Sequence, residues 1–333
     1  MRRRGRRLWG TAVVSVAVWA ATTTTLSVPP AQAVGPAASL PVALAVSSEL
    51  ASSLADLDMV ILRPLTVLRS PGETGVVIAH RGDSLAAPEN TMPAFISSIA
   101  RGADYLELDI RLSEDGVPVV IHDSTVDRTT DGSGVVAEMT LEELRALDAG
   151  SWLSDAFANT RIPTLDEVLS MVRGKDVRVV IEYKGTWKKS AVRATVDMIA
   201  AAGLADTTLV QSFSETTVAR IAAAAPRLRL ALLTHDLDAS TVAIAAAIGA
   251  DAVNPRNATA REVALAHRER LGVLVWTQDA VTDWEALTAM GVDGIITNRP
   301  DALRTWVDGR VSPTQTPSAS ARRSSGPVSP GYK

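Results

Sequence analysis

The 333-residue chain contains no cysteine and only four histidines. The absence of cysteine excludes disulfide bonds, a lipid anchor on cysteine, thiol catalysis and zinc sites with cysteine ligands. The scarcity of histidine argues against a dinuclear metallohydrolase. A G-x-S-x-G motif is also absent, which argues against a serine hydrolase with a nucleophile elbow. The side chains left for catalysis are the histidines, the carboxylates and the basic groups.

Residues 1–33 are predicted to be an export signal. Five arginines and no acid precede an apolar, threonine-rich stretch, and Ala31-Gln32-Ala33 forms an A-x-A cleavage site. The grouped arginines leave a twin-arginine signal as one alternative, and an uncleaved membrane anchor is another. We expect cleavage after Ala33, a secreted, extracellular protein and no stable membrane anchor after cleavage.

The predicted mature chain is acidic. Beyond residue 33, 28 basic residues face 37 acidic ones, which gives a formal charge of −9. This balance argues against nucleic acid, or an anionic membrane, as a bulk electrostatic partner. A phosphate site in this protein would have to be a local basic pocket. Nothing in the sequence indicates the oligomeric state.

The chain divides by composition into a central domain and two flanking segments. Residues 34–70 are rich in Ala, Ser, Leu and Val and read as a linker or an N-terminal helix, while the Ser/Pro-rich tail 309–333 is predicted to be disordered. In the domain, residues 71–308, strand-like runs alternate with alanine-rich helical stretches. The strand-like runs are 75–80, 105–110, 178–183, 207–212, 229–233, 251–254, 273–277 and 293–297.

This alternation predicts an α/β fold with a parallel sheet and helices outside it. Eight strands fit a TIM (β/α)8 barrel. Polar residues at the carboxyl ends of its strands are then candidates for the active site. A doubly wound open sheet is the alternative, although no glycine-rich dinucleotide loop follows the first strand.

A hairpin and a small insertion are predicted after the second barrel strand. The segment 117–123 follows that strand without an intervening helix, and Asp115-Gly116 predicts a two-residue turn between them. A turn centred there sets His122 directly across from Asp109, with Cβ atoms about 5 Å apart. Residues 124–163, with one predicted helix at 141–147, are then an insertion over the mouth of the barrel.

Three carboxylates point to a metal site. Glu107 and Asp109 stand at i and i+2 of one strand, so they project from the same face, and Glu182 ends a later strand. Buried carboxylates held close together repel, and a cation relieves that repulsion. An all-oxygen ligand set favours one divalent Ca²⁺ or Mg²⁺ over Zn²⁺. A salt bridge between Glu182 and Lys184 is the structural alternative.

Two strand-end histidines, His80 and His122, converge on these carboxylates and can share acid and base work. Arg81 and Lys184 can neutralise an anionic substrate. Together the groups indicate cleavage of a phosphate ester.

Three other rings are assigned no chemistry. His235 is expected in a loop and His267 on the solvent-facing side of a helix. Trp276 is expected either on the pocket floor or in the core.

These residues stand in stretches that closely resemble the glycerophosphodiester phosphodiesterase family. The resemblance covers about residues 75 to 301, with the segments in order and at compatible spacings. The matching stretches are AHRGDSLAAPENT (79–91), YLELDIRLSEDGVPVVIHDSTVDRTTDGSG (105–134), RIPTLDEVL (161–169), VVIEYKG (179–185), VQSF (210–213), VWT (275–277) and DGIITNRPD (293–301).

The resemblance implies a TIM barrel with a small insertion and hydrolysis of a small-molecule glycerophosphodiester to sn-glycerol 3-phosphate and an alcohol. It implies an attacking oxygen from the substrate's own glycerol hydroxyl, through a cyclic phosphate. The implied roles are acid/base catalysis for His80 and His122, phosphate binding for Arg81 and Lys184, metal binding for Glu107, Asp109 and Glu182, and shaping of the site for Glu89 and Asn90.

The sequence departs from the family pattern after VWT, where Gln278-Asp279 replaces the usual valine-asparagine, and at Asn298, where aspartate is common. These positions are expected at the pocket rim, where they would affect substrate preference. Rival interpretations are a phospholipase D of the sphingomyelinase D kind, a substrate such as a lysophospholipid or teichoic acid, and a catalytically silent phosphate-ester binding protein.

Overall fold

The computed structural model describes residues 68–310. The predicted signal peptide and nearly all of the segments 34–70 and 309–333 lie outside these residues. Within 68–310 no helix is both long and apolar enough to cross a membrane.

Nine strands are formed in the described part of the chain, and eight of them close into a parallel barrel. The barrel runs in the order β1, β2, β4, β5, β6, β7, β8, β9, and β9 pairs back with β1. The strands are β1 (Val76–Ala79), β2 (Tyr105–Leu112), β3 (Pro118–Val120), β4 (Arg178–Tyr183), β5 (Thr208–Ser212), β6 (Arg229–Thr234), β7 (Ala252–Pro255), β8 (Gly272–Val275) and β9 (Gly294–Thr297). The predicted (β/α)8 barrel is confirmed, and the open sheet is wrong because β1 and β2 also pair.

Helices on the outside of the barrel follow or precede its strands. They are α1 (Met92–Ala100), α2 (Leu141–Ala146), α3 (Leu165–Val172), α4 (Lys189–Ala201), α5 (Glu215–Ala224), α6 (Ala239–Ile248), α7 (Ala260–Arg268), α8 (Val281–Met290) and α9 (Pro300–Asp308). A capping box between Thr164 and Glu167 starts α3. Helix α2 belongs to the insertion.

Alternation along each strand sorts side chains between two apolar layers. On β2, Leu106, Leu108 and Ile110 join the large core between barrel and helices. Tyr105 belongs instead to a smaller cluster inside the barrel, with inward residues of other strands such as Ile78. Side chains two apart on a strand share a face, so Glu107 and Asp109 follow Tyr105 into the barrel interior.

The hairpin between β2 and β3 forms, but its register differs from the prediction by one residue. Ile110 pairs with Val120, and the Ser113 N–H donates to the Val117 carbonyl (3.0 Å). The loop therefore has three residues and ends at Gly116, with φ +82°. Asp109 faces Ile121 rather than His122, and the Ile121 N–H donates to its carbonyl (3.0 Å). His122 lies beyond the end of β3, so its direction does not follow the strand alternation.

The insertion has its own small apolar core. Leu144 of α2 forms one buried cluster with Val126 and Ile162, which lie before and after that helix, and with Val119 of β3. This core stabilises a segment that has no β-strand of its own apart from isolated bridges.

His267 is not solvent-facing as predicted. Its side chain is 18% exposed, and Nε2 lies 2.8 Å from Oδ2 of the buried Asp293. Asp293 also accepts from the backbone N–H groups of Arg69 and Val273 (both 2.7 Å). The contact is structural, because these residues lie at the amino-terminal ends of β8 and β9, away from the carboxyl ends where the candidate site lies.

Candidate active site

A cavity of about 340 Å³ lies at the carboxyl ends of the barrel strands. Its walls include most of the sequence-predicted site: His80, Arg81, Glu107, His122, Glu182, Lys184 and Trp276. The sequence reasoning assigned no function to the other lining residues, which are Gln211, Phe213, Leu233, His235 and Ile296. The structure therefore brings together residues from eight strands or the loops that follow them.

The three predicted carboxylates form one buried cluster. Each of Glu107, Asp109 and Glu182 offers an oxygen within 4.8 Å of the others. Their relative exposures are 2%, 1% and 7%, and the β2–β4 register sets Asp109 beside Glu182. Burial together with the neighbouring carboxylates raises the pKa of Glu107 well above its usual value and that of Glu182 to about 7. Three oxygens held this closely and out of water fit a hard divalent cation.

Two cationic side chains border this cluster. Lys184 Nζ lies 2.8 Å from Glu182 Oε1 and 3.6 Å from Asp109 Oδ1, and Arg81 Nε lies 3.3 Å from Asp109 Oδ2. The salt bridge between Glu182 and Lys184 is thus present. Burial alone would raise the pKa of Asp109, but Arg81 and Lys184 hold it well below its usual value. Asp109 is therefore firmly ionised, whereas Glu107 and Glu182 would need a further positive charge nearby to stabilise their ionised forms.

The loop after β1 fixes Arg81. Its φ of +55° lies in the left-handed region, and its N–H donates to Glu107 Oε2 (2.9 Å). Gly82 follows at φ +83°, where a Cβ would meet Ala94 Cβ at 2.7 Å, so only glycine fits between this loop and α1. The Arg81 guanidinium donates to Glu89 Oε1 (2.9 Å).

Asn90 forms hydrogen bonds with both the side chain and the backbone of Asp109. Asn90 Nδ2 donates to Asp109 Oδ2 (2.8 Å), while Oδ1 accepts from the Asp109 N–H (3.2 Å). This pair of contacts fixes the carboxylate before any ligand is bound.

His80 is fixed in one tautomer by its neighbours. Its Nδ1 lies 2.7 Å from Asn298 Oδ1, and Asn298 Nδ2 donates to Asp279 Oδ2 (2.7 Å). The carboxylate can only accept, so the amide must turn its oxygen to His80, and Nδ1 must carry the ring proton. Burial and then Arg81 lower the pKa of His80 to about 4, which leaves a neutral imidazole with Nε2 unprotonated.

His122 is held by a carboxylate instead of an amide. Its Nδ1 lies 2.7 Å from Asp123 Oδ1, and Arg111 Nε donates to the His122 carbonyl (2.9 Å). Burial and the nearby Arg81 lower the pKa of His122, while Asp109 and Asp123 oppose that shift. A carboxylate at Nδ1 stabilises the imidazolium form. The two histidines therefore differ in proton affinity, because His122 has such a carboxylate and His80 has an amide oxygen instead.

An aromatic wall lies on the other side of the cavity. The Phe213 ring stacks on His235 with centroids 5.0 Å apart, and Trp276 meets both rings edge-on at 5.7 and 5.9 Å. Trp276 also donates through Nε1 to the Asn254 carbonyl (2.8 Å). Trp276 thus lines the pocket. His235 lies at the end of β6, and that strand-end position was the signal which could have marked it.

Sequence reasoning also missed the polar groups that support the site. Gln211 Nε2 donates to Glu107 Oε1 (3.4 Å) and its Oε1 accepts from Asn254 Nδ2 (2.6 Å). Asn298 was expected at the rim with a role in substrate preference only, yet it contacts His80 directly. The VQSF stretch and the strand-end position of Asn298 were the available signals.

The fold and the cavity are those expected of a (β/α)8-barrel hydrolase of phosphate esters. The model of the glycerophosphoryl diester phosphodiesterase family matches residues 80–302. The chain therefore belongs to the glycerophosphodiester phosphodiesterase family, a family of hydrolases. This confirms the resemblance seen in the sequence.

Individual relatives and structures agree with this placement. The chain is 38% identical to a glycerophosphodiester phosphodiesterase of Caldanaerobacter subterraneus subsp. tengcongensis over 68% of this chain and 96% of the relative. It is 35% identical to the probable glycerophosphodiester phosphodiesterase 1 of Mycobacterium tuberculosis over 72% and 94%. A crystal structure of the Agrobacterium tumefaciens enzyme matches with a TM-score of 0.63 and 32% identity, covering 70% of this chain and all of that one.

A phosphodiesterase of Oleispira antarctica, solved in complex with the product sn-glycerol-3-phosphate, matches with a TM-score of 0.68 and 26% identity. The match covers 71% of this chain and 97% of that chain.

Proposed function

We propose that the protein hydrolyses glycerophosphodiesters, such as glycerophosphocholine, to sn-glycerol 3-phosphate and an alcohol. The observation that carries this proposal is the cavity itself, in which two differently tuned histidines and two cations surround three buried carboxylates. The family supports the reaction class, and the product held by the Oleispira antarctica relative supports the same product here.

One divalent cation, Ca²⁺ or Mg²⁺, is proposed as cofactor. Glu107, Asp109 and Glu182 would hold it, because their oxygens converge in a buried site and two of them have raised pKa values that a cation would lower. When bound, a divalent cation supplies positive charge that stabilises the oxygens of the reacting phosphate. A cation held there would also neutralise Glu182, so the Lys184 ammonium could contact the substrate.

Arg81 and Lys184 bind the phosphate in this proposal. Both line the cavity, and both contact Asp109, which keeps their charged ends at the centre of the site. Charge-assisted hydrogen bonds from these groups to phosphate oxygens strengthen as negative charge develops there. An anionic substrate is thus held by a local basic group within an acidic protein.

We assign the base to His80 and the acid to His122 in the first step. Neutral His80, with Nε2 unprotonated, takes the proton of the attacking glycerol hydroxyl, while that oxygen bonds to phosphorus. The bond to the departing alcohol breaks, and protonated His122, stabilised by Asp123, gives that alcohol its proton. The products are an alcohol and a cyclic glycerol phosphate. Water then opens the ring with the two histidines in exchanged roles.

We further propose that the protein is exported. The support is the sequence of residues 1–33, with its arginines, apolar stretch and A-x-A site. Mass spectrometry of the protein recovered outside the producing cells should give a chain that begins at residue 34. A product that starts at Met1 and remains with the cells would contradict this.

Product analysis tests the proposed reaction. Residues 34–333 incubated with glycerophosphocholine should release sn-glycerol 3-phosphate and choline. Cleavage of lysophosphatidylcholine to choline, with no action on glycerophosphocholine, would favour the phospholipase D reading. Phosphate-ester binding without any turnover would favour the silent binding protein.

Substitution of the proposed acid tests the site. His122→Ala should lower kcat by about 100-fold or more, since general acid catalysis contributes roughly 10²–10⁴. Circular dichroism should show an intact fold, because His122 is part-exposed and outside the barrel core. A variant that keeps wild-type turnover would refute the acid/base assignment.

A further inference from the structure

Arg128, in the insertion, joins two acidic residues that belong to different parts of the site. Its Nη1 and Nη2 donate to the two oxygens of Glu89 (2.8 and 2.7 Å), and its Nε donates to Asp123 Oδ2 (2.6 Å). The side chain is 45% exposed, so part of it is open to solvent while it contacts both acids. Three of its five N–H groups are thus engaged.

Each of these acids holds a group of the proposed reaction with its other contacts. Asp123 Oδ1 lies 2.7 Å from His122 Nδ1, and Glu89 Oε1 lies 2.9 Å from Arg81 Nη1. A continuous chain of charge-assisted contacts therefore runs from the histidine to the phosphate-binding arginine. The central member of this series of contacts is Arg128, which is the one member that comes from the insertion, residues 124–163.

The geometry requires a guanidinium at this position. A bidentate pair to one carboxylate and a third donor to another need the planar fork of arginine, which the point charge of lysine does not reproduce. Both acids respond to it. Burial would raise the pKa of Glu89 and of Asp123, yet the Arg128 hydrogen bonds bring both below their usual values, Asp123 to about 2.

We propose that Arg128 is a positioning residue that fixes His122 and Arg81 relative to one another. It acts through Asp123 and Glu89 and reaches no reacting atom. The insertion is then part of the active site, because the last contacts that orient the acid and the phosphate-binding guanidinium come from it. The proposal rests on the proposed function, since the reaction gives both groups their roles.

Arg128→Ala and Arg128→Lys, compared with wild type on glycerophosphocholine, test this role. Kcat should fall about 10- to 100-fold in Arg128→Ala, because small displacements of reacting groups are costly. Arg128→Lys should recover only a small part of the loss, although it preserves the charge. Guanidinium chloride at millimolar concentration should restore activity to Arg128→Ala in a saturable way, because the vacated position is open to solvent.

Arg145→Ala is the matched control. Arg145 lies in the same insertion and pairs with Glu167 Oε2 (2.7 Å), but it contacts none of the proposed catalytic, phosphate-binding or metal-binding residues. It should keep wild-type kcat, and added guanidinium should not raise its activity. This control separates positioning from stabilisation of the insertion, because loss of either arginine removes a salt bridge from the same segment.

Three outcomes would overturn the proposal. They are a folded Arg128→Ala with kcat within threefold of wild type, a full recovery in Arg128→Lys, and a failure of guanidinium to restore activity. If Arg128→Ala does not fold, Arg128→Lys decides alone, and wild-type kcat in it would refute the role. Wild-type protein without turnover would contradict the proposed function itself, whereas an active wild type with an unimpaired Arg128→Ala would contradict the positioning role only.

Discussion

At the scale of single residues, burial and the partner at Nδ1 together decide what each histidine of the site can do. Burial and Arg81 keep His80 neutral despite the Asn298 oxygen at its Nδ1, whereas at His122 the Asp123 carboxylate opposes the lowering of the pKa by burial. The sequence predicts that both histidines are functional, because both end strands beside carboxylates. It does not predict which is base and which is acid, since Asn298 lies 218 positions from His80 and is brought to it only by closure of the barrel.

Exchanging Asn298, which contacts His80, with its partner Asp279 should alter the pH dependence of catalysis. His80 must be neutral to act as base, and its pKa of about 4 allows activity to persist to low pH. The double variant D279N/N298D places a carboxylate at Nδ1 and should raise that pKa, so the acid limb of kcat/KM against pH should move upward. D279N alone, which adds no charge at the ring, should leave the limb in place. An unmoved acid limb in the double variant would contradict the assignment of His80 as base.

Glu107→Gln should weaken the response to metal more than it weakens the fold. The substitution keeps the size of a buried side chain and retains an oxygen to accept from the Arg81 N–H, while it removes one ligand charge. The metal concentration needed for half-maximal activity should rise by about tenfold or more, judged by typical losses at metal sites. Thermal unfolding should stay near wild type, and an unchanged titration with Ca²⁺ and Mg²⁺ would count against this ligand.

At the scale of elements, the strands are predictable and the hairpin register is not. All eight barrel strands were predicted to within two residues at each end, because runs of buried aliphatic residues alternate clearly with helical stretches. The register of β3 depends on whether the loop has two or three residues, and Asp-Gly is compatible with both. The one-residue error did not move His122 out of the site, because that residue lies beyond the last ladder pair.

Gly116→Ala tests the three-residue loop. Gly116 is in the left-handed region with open space where a Cβ would point, so the cost of alanine is backbone strain alone. The free energy of unfolding in urea should fall by about 1 kcal/mol. Gly116→Asn should cost less, because asparagine tolerates this conformation better. Equal losses for the two variants would contradict the loop geometry.

At the scale of the whole molecule, the barrel collects groups that are far apart in sequence at one end of one sheet. Residues as distant as His80 and Trp276 line one cavity because all eight strands end at the same face. This rule made the main site predictable from the sequence. The aromatic partners and the Arg128 contacts were not predictable, since they depend on how the loops beyond the strands pack.

The central claim is that this cavity carries out metal-dependent hydrolysis of a phosphodiester. The measurement that tests it most directly is release of sn-glycerol 3-phosphate from glycerophosphocholine, with and without excess EDTA and with Ca²⁺ or Mg²⁺ added back. We expect release that EDTA abolishes and that one of the two cations restores. Full activity in excess EDTA would contradict the metal site formed by Glu107, Asp109 and Glu182.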